Sequence, residues 1–195
     1  MDNNRIKLKV FGLTRGTMHE NMYILVLQEA LGDRKIPIMI GSTEAQAIAL
    51  KTRHVPMERP MLQDLFKKLT DSYDIELRDV YIYKVEDGVY YSYLEFVKDG
   101  VETAIDARSS DAVALALTYD CPIYTSDTLI GSQYMRENRR GSMSIPINTL
   151  DIQALQEALD RAVKEENYEM ASMLRDEINR RVNPDKISED DTPAS

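Results

Sequence analysis

Three segments near the start of the chain have the hydrophobic patterns of β-strands. Residues 5–15 (RIKLKVFGLTR) begin with alternating polar and apolar positions, which is the pattern of a half-buried strand. Residues 21–30 (NMYILVLQEA) are mostly apolar, and this predicts a central strand. Residues 35–40 (KIPIMI) follow a turn-like LGDRK segment and predict a third strand. The pattern therefore predicts three consecutive strands before the first helix.

Two helices are predicted after these strands. Residues 42–53 (STEAQAIALKTR) follow the strand breaker Gly41 and have a helix-forming composition. Pro60 suits the first position of a second helix over residues 60–73, because its missing N–H is not needed there. The apolar positions of this second helix recur at helical three- and four-residue spacing, at Leu62, Leu65, Phe66 and Leu69.

A second group of strands occupies the middle of the chain. Its three alternating runs are IELRDVYIYKV, VYYSYLEFV and VETAIDA, at residues 75–85, 89–97 and 101–107. Asp-Gly pairs at 87–88 and 99–100 separate the runs, and Asp-Gly between alternating segments is among the strongest short-range hairpin signals. The pattern predicts an antiparallel meander. A helix over DARSSDAVALAL, a short strand PIYT and a short turn SDTLI complete the region to residue 130.

Two of the predicted strand-to-helix junctions have similar sequences. Residues 42–50 (STEAQAIAL) and 109–117 (SSDAVALAL) share Ser, three Ala and Leu at five matching positions. Glu44 is matched by Asp111, and each segment follows a predicted strand. Frequent Ala gives a helix a low surface that packs closely on a sheet or on another helix. The similarity predicts an internal repeat of one strand–helix unit.

The rest of the chain divides into a linker, a hairpin and a tail. Residues 131–150 are polar and rich in Gly and Ser, as linkers are, whereas residues 183–195 are acidic and predicted to be disordered. Residues 151–182 predict a two-helix antiparallel hairpin with a break at Asn167. Its two apolar stripes are Ile152, Leu155, Leu159 and Val163, then Tyr168, Ala171, Leu174 and Ile178. We therefore expect an α+β domain over residues 1–130, with a mostly antiparallel or mixed sheet and helices packed on it, followed by the hairpin.

Composition narrows the classes of function. Cys121 is the only cysteine, so an intrachain disulfide and a cysteine-based metal site are excluded. No segment has the apolar length of a signal peptide core or a membrane span, which predicts a soluble, cytoplasmic protein without membrane partners. The net charge of −9 gives no long-range attraction to nucleic acid, and MRENRR at residues 135–140 is the only compact basic cluster.

Four carboxylates and one arginine are the candidate functional residues. Asp106 and Asp111 flank Arg108, Glu44 occupies the matching place in the other repeat, and Asp64 lies near the start of the second helix. If the repeats pack about a pseudo-twofold axis, these acids converge. Converging carboxylates bind Mg²⁺ or Mn²⁺, which can activate water against a phosphodiester, and arginine can hold a phosphate by paired hydrogen bonds.

A purely structural interpretation competes with this one. Serine at a helix start accepts hydrogen bonds from free backbone N–H groups, and an acid there meets the positive end of the helix dipole. Glu44 and Asp111 are explained by such roles, whereas Asp106 and Arg108 precede the helix and are not. His19 and His54 are isolated from other ligand types, and the YYSY run at residues 90–93 either stacks on bases or reflects the strand preference of Tyr.

The chain resembles the bifunctional nuclease domain family over about residues 5–130. Three blocks carry the resemblance, namely IPIMIGSTEAQAIAL, RPMLQDLFKKL and IDARSSDAVALAL followed by CPIY. The resemblance implies a nuclease acting on DNA and RNA, and it carries over Glu44, Asp64, Asp106, Arg108 and Asp111 as motif positions. The block EENYEMASMLRDEI is similar to the UVR motif, the helical hairpin of the bacterial excision-repair proteins UvrB and UvrC.

Two positions depart from the family pattern, and two other functions stay open. Gln63 stands where the family usually has His, which removes a candidate general base or phosphate contact, and Ser109 stands where it usually has Pro. One alternative is a non-catalytic adaptor, in which the first domain is a monomeric or homo-oligomeric scaffold and the hairpin at residues 151–181 docks on a protein partner. The other is binding of a small ligand between the two repeats.

Overall fold

A computed structural model describes residues 5–15, 22–137, 143–144 and 146–182. The predicted tail, His19 and part of the predicted linker lie outside these residues. The strands are β1 (Arg5–Arg15), β2 (Met22–Glu29), β3 (Lys35–Gly41), β4 (Glu76–Glu86), β5 (Val89–Lys98), β6 (Val101–Arg108), β7 (Ile123–Ser126), β8 (Arg136–Glu137) and β9 (Met143–Ser144). The helices are α1 (Ser42–Thr52), α2 (Leu62–Ser72), α3 (Ser109–Tyr119), α4 (Asp127–Gln133), α5 (Ile152–Lys164) and α6 (Tyr168–Val182), with a 3-10 turn at Ile147–Thr149.

Seven strands form one mixed sheet in the order β3-β2-β1-β7-β4-β5-β6. Two antiparallel meanders, β1-β2-β3 and β4-β5-β6, flank the central strand β7. Strand β7 pairs antiparallel with β1 and parallel with β4. The α+β class with a mixed sheet is confirmed, and the strand that joins the two meanders comes from late in the chain.

The Asp-Gly pairs form the tight turns that the sequence predicts. Asp87 and Gly88 have φ values of +50° and +83°, and Asp99 and Gly100 have +48° and +77°. Positive φ at both central residues gives a turn whose twist matches that of the flanking strands. These turns set the register in which β5 pairs with β4 and β6.

The internal repeat is confirmed as two meanders that each continue directly into a helix. Strand β3 ends at Gly41 and α1 begins at Ser42, while β6 ends at Arg108 and α3 begins at Ser109. Helices α1 and α3 pack against each other. The alanines that are buried in the two helices are Ala45, Ala47, Ala112, Ala114 and Ala116. Because alanine projects only a methyl group, the two backbones approach closely, and both helices share one apolar core with the sheet.

Two local predictions are corrected. The segment predicted as a short turn after β7 is the start of α4, where Ser126 Oγ accepts a hydrogen bond from Leu129 N at 3.0 Å. Serine at this position is a favoured helix cap, so the sequence did contain the signal. Helix α2 begins at Leu62 rather than at Pro60, because Met61 is extended and its N–H is held by Asp64 Oδ2 at 2.9 Å.

The C-terminal hairpin packs on the first domain. Helices α5 and α6 enclose a small apolar cluster that includes Leu155 and Leu174 and that reaches Met39 on β3. Arg181, whose side chain is almost fully buried, donates to the Leu150 carbonyl and to Glu177 Oε1. The predicted stripes are only partly buried, since residues near the hairpin turn, such as Val163 and Tyr168, are exposed.

Gly88 is the position where the β4–β5 turn meets the segment that leads into the hairpin. A Cβ on Gly88 would lie 2.7 Å from the backbone C and O of Leu150, whereas a Cβ on Gly100 would meet nothing within 4 Å. Both glycines have positive φ, so Ala costs about 1–2 kcal/mol at either position. We predict that Gly88→Ala lowers the free energy of unfolding by at least about 1 kcal/mol more than Gly100→Ala. Urea denaturation of both variants measures the difference, and equal losses would contradict the contact with Leu150.

Candidate functional site

Arg108 joins the two repeats at the place where their helices begin. Its Nε donates to Asp111 Oδ2 at 2.8 Å and its Nη2 to Asp111 Oδ1 at 3.2 Å, which is a paired interaction. Its Nη1 lies 3.3 Å from Glu44 Oε1 on α1. Strands β3 and β6 are the two edges of the sheet, so this contact also shows that the sheet curls and brings the ends of its edge strands toward each other.

A small cleft lies beside this junction. Its volume is about 210 Å³, and its lining includes Glu44, Arg108, Ser110 and Tyr90. A Cβ at Gly41 would lie 2.6 Å from Glu44 Oε2, so a larger residue there would displace the end of the Glu44 side chain. The arrangement places the guanidinium of Arg108, the carboxylates of Glu44 and Asp151, and the starts of α1 and α3 around the same space.

The helix starts at this cleft are not capped as the sequence predicts. Neither Gly41 nor Arg108, the residues that precede α1 and α3, makes a side-chain capping hydrogen bond. Ser109 Oγ instead contacts Ser92 Oγ at 2.6 Å in the core. The capping role expected for the serine at the start of α3 is therefore wrong for Ser109. The N-terminal turns of the two helices favour anions, through their backbone N–H groups and helix dipoles.

Asp64 lies apart from the Arg108 junction. It receives hydrogen bonds from Lys51 and from Met61 N, and these interactions hold the pKa of its carboxyl below the usual range, with the Lys51 hydrogen bond as the main cause. Lys51 is in the last turn of α1, whereas Glu44 is in the first. Seven residues of helix separate them, a rise of about 10 Å. Asp64 thus connects the end of α1 to the start of α2.

Asp106 lies on the outer face of the sheet, the face opposite the helices. Its Oδ1 accepts a hydrogen bond from Tyr83 Oη at 3.0 Å. The Tyr83 ring stacks on Tyr93, with ring centroids 4.1 Å apart. Side chains two residues apart on a strand lie on the same face of the sheet. Asp106 and Arg108 therefore both project to this outer face, where they neighbour their pairing partners on β5, Tyr93 and Tyr91.

The structure therefore brings together Glu44, Arg108 and Asp111 and leaves Asp64 and Asp106 elsewhere. Within the part of the chain that the structure describes, no three His, Cys, Asp or Glu residues lie close enough to hold a metal ion. The four carboxylates expected to converge lie at separate places, since Asp64 is held by Lys51 at the end of α1 and Asp106 by Tyr83 on the outer face. Glu44 and Asp111 as placed do not fit a metal ion either, since the guanidinium of Arg108 neutralises both.

Two buried polar groups, one at the cleft and one at the start of α2, have no hydrogen-bond partner among the described residues. Tyr90 Oη lies at the cleft and is buried, and burial raises the pKa of this phenol. Gln63, at the position where the family pattern has His, buries its Oε1. The burial of the Tyr90 and Ser92 side chains was not predicted from the sequence. The alternation of these residues with Tyr91 and Tyr93 along β5 indicates that the two pairs lie on opposite faces of the sheet.

The weaker candidates from the sequence lie away from this site. His54 is exposed just after α1 with a φ of +51°, and it belongs to no ligand group among the described residues. Cys121 is half-buried, and burial raises the pKa of its thiol to about 12, which keeps it protonated and unreactive. No helix in the described ranges is long and apolar enough to cross a membrane.

Comparison with known proteins identifies the family. The model of the bifunctional nuclease domain matches residues 25–138, which include α1, α3 and the Arg108 junction, and the chain belongs to this family. An uncharacterized protein of Mycobacterium tuberculosis is 36% identical over 124 residues, covering 64% of this chain and 73% of that protein. Bifunctional nuclease 1 of Arabidopsis thaliana is 24% identical over 166 residues, covering 73% of this chain and 51% of the plant protein. Bifunctional nuclease 1 of Oryza sativa subsp. japonica is 27% identical over 103 residues, 51% of this chain and 31% of that protein.

The ion pair of Asp64 gives a pH-dependent prediction. Its folded pKa is lowered, so the pair contributes stability above the unfolded pKa of about 4, and this contribution is lost as the pH falls through the folded pKa. Asp64→Asn should lower the free energy of unfolding by about 1 kcal/mol at pH 7 and by progressively less below pH 4.

Asp71 supplies the control for this measurement. It forms an exposed pair with Lys67 at 3.1 Å on the same helix, so Asp71→Asn should change stability by no more than about 0.5 kcal/mol. Urea unfolding of both variants between pH 2.5 and 7 gives the comparison. A loss for Asp64→Asn that is independent of pH would argue against the ion pair as its cause.

Proposed function

We propose that this chain is a nuclease that hydrolyses phosphodiester bonds of DNA or RNA at the Arg108 junction. The observation that carries the proposal is the position of Arg108, held between Glu44 and Asp111 at two helix starts in a member of the bifunctional nuclease domain family. The name nuclease belongs to the plant relatives, and its extension to this chain rests on that site.

The residues of the junction have separable roles in this proposal. Arg108 is 69% exposed at its side chain and forms hydrogen bonds with the phosphate, together with first-turn N–H groups of α1 and α3. Glu44 lines the cleft and accepts the proton of the attacking water. The water oxygen then bonds to phosphorus as the ester oxygen leaves. Asp111 does not line the cleft and orients the guanidinium, which makes it a positioning residue.

The outer face of the sheet favours a single-stranded substrate. Tyr83, Tyr91 and Tyr93 project beside Asp106 and Arg108, and each of the three rings is half-exposed. Lys84 Nζ lies 5.3 Å from the Tyr91 ring centre. Rings interleaved with cations bind single strands, because every base has a face that can stack. A strand on this face would reach Arg108 at the end of β6.

Dependence on Mg²⁺ or Mn²⁺ stays a prediction. Glu44 and Asp111 form a poor metal site, because the guanidinium of Arg108 neutralises both carboxylates. The proposed mechanism uses no metal ion in any step. Mg²⁺ retains several waters and needs few protein ligands, so a substrate phosphate could complete a site that the free protein lacks. Assays with Mg²⁺, Mn²⁺ or EDTA decide the requirement.

The hairpin supports a second proposed role, docking on a protein partner. Val163, Tyr168, Met170 and Met173 stay exposed around its turn although other residues of the hairpin pack on the domain. The similarity of the EENYEMASMLRDEI block to the UVR motif favours a protein partner. If the chain is an adaptor without catalysis, the hairpin is the element that performs its function.

Substitutions at the junction test the nuclease proposal. With single-stranded DNA and RNA as substrates, Arg108→Ala and Glu44→Gln should each lower kcat/KM by about 100-fold. Asp111→Asn should act mainly on KM by loosening Arg108.

Matched controls separate the site from a contaminant. Arg53→Ala and Asp99→Asn change exposed residues outside the cleft and should leave the rate within about twofold. Activity that is equal in all five variants would come from a contaminating enzyme and would contradict the proposal. Absence of cleavage under every metal condition, with the hairpin still binding a partner, would favour the adaptor.

The tyrosine face gives a separate prediction for substrate binding. Tyr93→Ala removes a ring that stacks on Tyr83 and should weaken binding of single-stranded oligonucleotides by about 5- to 100-fold, measured by fluorescence anisotropy. Tyr168→Ala, which removes an exposed ring from the hairpin, is the control and should not change affinity. Equal affinities for the wild type and Tyr93→Ala would contradict the role of this face.

A further inference from the structure

Helix α2 presents an apolar stripe to solvent. Leu62, Leu65, Leu69 and Tyr73, the residue just after the helix, recur at helical spacing and are between 50% and 77% exposed. Such a stripe normally faces the core, where each buried side chain contributes about 1.5–3 kcal/mol. On the other side of α2, Phe66 packs on Phe96 with ring centroids 6.1 Å apart. The helix is thus anchored by one side and leaves a second apolar side uncovered.

The neighbouring strand β6 is an unprotected sheet edge. All of its side chains except Ala107 are exposed, it contains no proline, and its pairing with β5 has no bulge. The opposite edge strand, β3, contains Pro37, and its Lys35 carbonyl accepts a hydrogen bond from Met135 N at 2.7 Å. Proteins usually block free edges to prevent pairing with another chain. Strand β3 has a proline and a covering segment, whereas β6 has only the charges of Glu102, Asp106 and Arg108.

The stripe and the edge strand belong to one surface. A groove of about 430 Å³ runs between α2 and β6, and its lining includes Phe66, Leu69, Tyr73, Thr103 and Ile105. With Leu62, Leu65 and the exposed Val101, it forms a continuous apolar surface, which we call the α2–β6 surface. Monomeric proteins rarely expose large contiguous apolar surfaces beside a free strand edge.

We propose that the α2–β6 surface joins two copies of this chain into a twofold homodimer, in which the β6 strands pair antiparallel into a continuous fourteen-stranded sheet. The twofold axis passes through Ile105. The two α2 helices then lie on the same face of the joined sheet, and their apolar stripes cover each other across the axis. The proposal does not depend on the proposed nuclease activity.

Charge complementarity selects a second copy and this register. Pairing about Ile105 sets Glu102 opposite Arg108 of the other copy, twice, and sets Thr103 opposite Ala107 on the apolar face. Within each copy Glu102 also contacts Arg78 and Arg108 contacts Asp111, so the new pairs extend existing ion pairs across the interface. Opposite charges directly across a strand pair are stabilising, and like charges are destabilising. Pairing about Ala104, one position away, would instead set Glu102 opposite Asp106. The strand is therefore complementary to itself, as a twofold interface requires.

Solution mass tests the dimer. Analytical ultracentrifugation of the full chain should give twice the 22.3 kDa chain mass at micromolar concentration. Ile105→Glu and Leu69→Glu should each return the monomer mass, because a buried uncompensated charge opposes association. Leu31→Glu replaces a fully exposed leucine outside the surface and should leave the dimer intact. Circular dichroism verifies folding, and Val101→Glu is a second edge variant if Ile105→Glu unfolds.

Single cysteines test the register in a Cys121→Ala background. In this register the two copies of residue 105 lie opposite each other at the twofold axis. Ile105→Cys should therefore form a disulfide under mild oxidation, because the two Cα atoms lie within the 4.4–6.8 Å separation that a disulfide spans. Thr103→Cys should not, because its two copies would lie about 13 Å apart along the strands.

Each alternative outcome overturns a stated part of the proposal. A monomer at every concentration overturns the dimer. A dimer that survives both Ile105→Glu and Leu69→Glu overturns the surface. Cross-linking of Thr103→Cys without Ile105→Cys overturns the register. Cross-linking of neither variant, in a chain that is dimeric, overturns the pairing of β6 with itself.

Discussion

The close contact between the alanine-rich helices α1 and α3 is the interaction on which the rest of the structure depends. Each helix continues from the edge strand of its own meander, so packing one helix on the other draws the two sheet edges toward each other. A larger side chain at Ala45 or Ala114 would force the helices apart, because the core has no space to absorb it. The curl of the sheet and the approach of Glu44 to Arg108 both follow from this contact.

The polar junction built on this contact has a different energetic character from the core below it. Arg108, Glu44 and Asp111 are partly exposed, and exposed ion pairs contribute little to stability. The three side chains are therefore not needed to hold the repeats together, since the buried alanines and the shared core already do so. Charged side chains that are held in place but are not needed for stability favour a role in binding or catalysis at this junction.

Local patterns predicted the elements well, and non-local contacts account for what they could not predict. The Asp-Gly turns, the meanders and the repeat follow from alternation and turn chemistry within short windows. The insertion of β7 between β1 and β4 has no local signal, because both partners are distant in the chain. The candidate site divides in the same way. The pairing of Arg108 with Asp111 is local, because the two residues are three positions apart. The separation of Asp64 from them depends on its non-local contact with Lys51, which no short stretch of sequence indicates.

The central position of β7 determines when the seven-stranded sheet can be completed during synthesis. The first meander is complete at residue 41 and the second at residue 108, yet the strand that pairs with both begins at Ile123. On a ribosome, the two halves of the sheet therefore emerge as separate sheets, each with an unpaired inner edge, until about residue 126 leaves the exit tunnel. Pairings of such long sequence separation make folding slow. A chain truncated between α3 and β7 would retain both halves of the repeat and still lack the strand that joins them into one sheet.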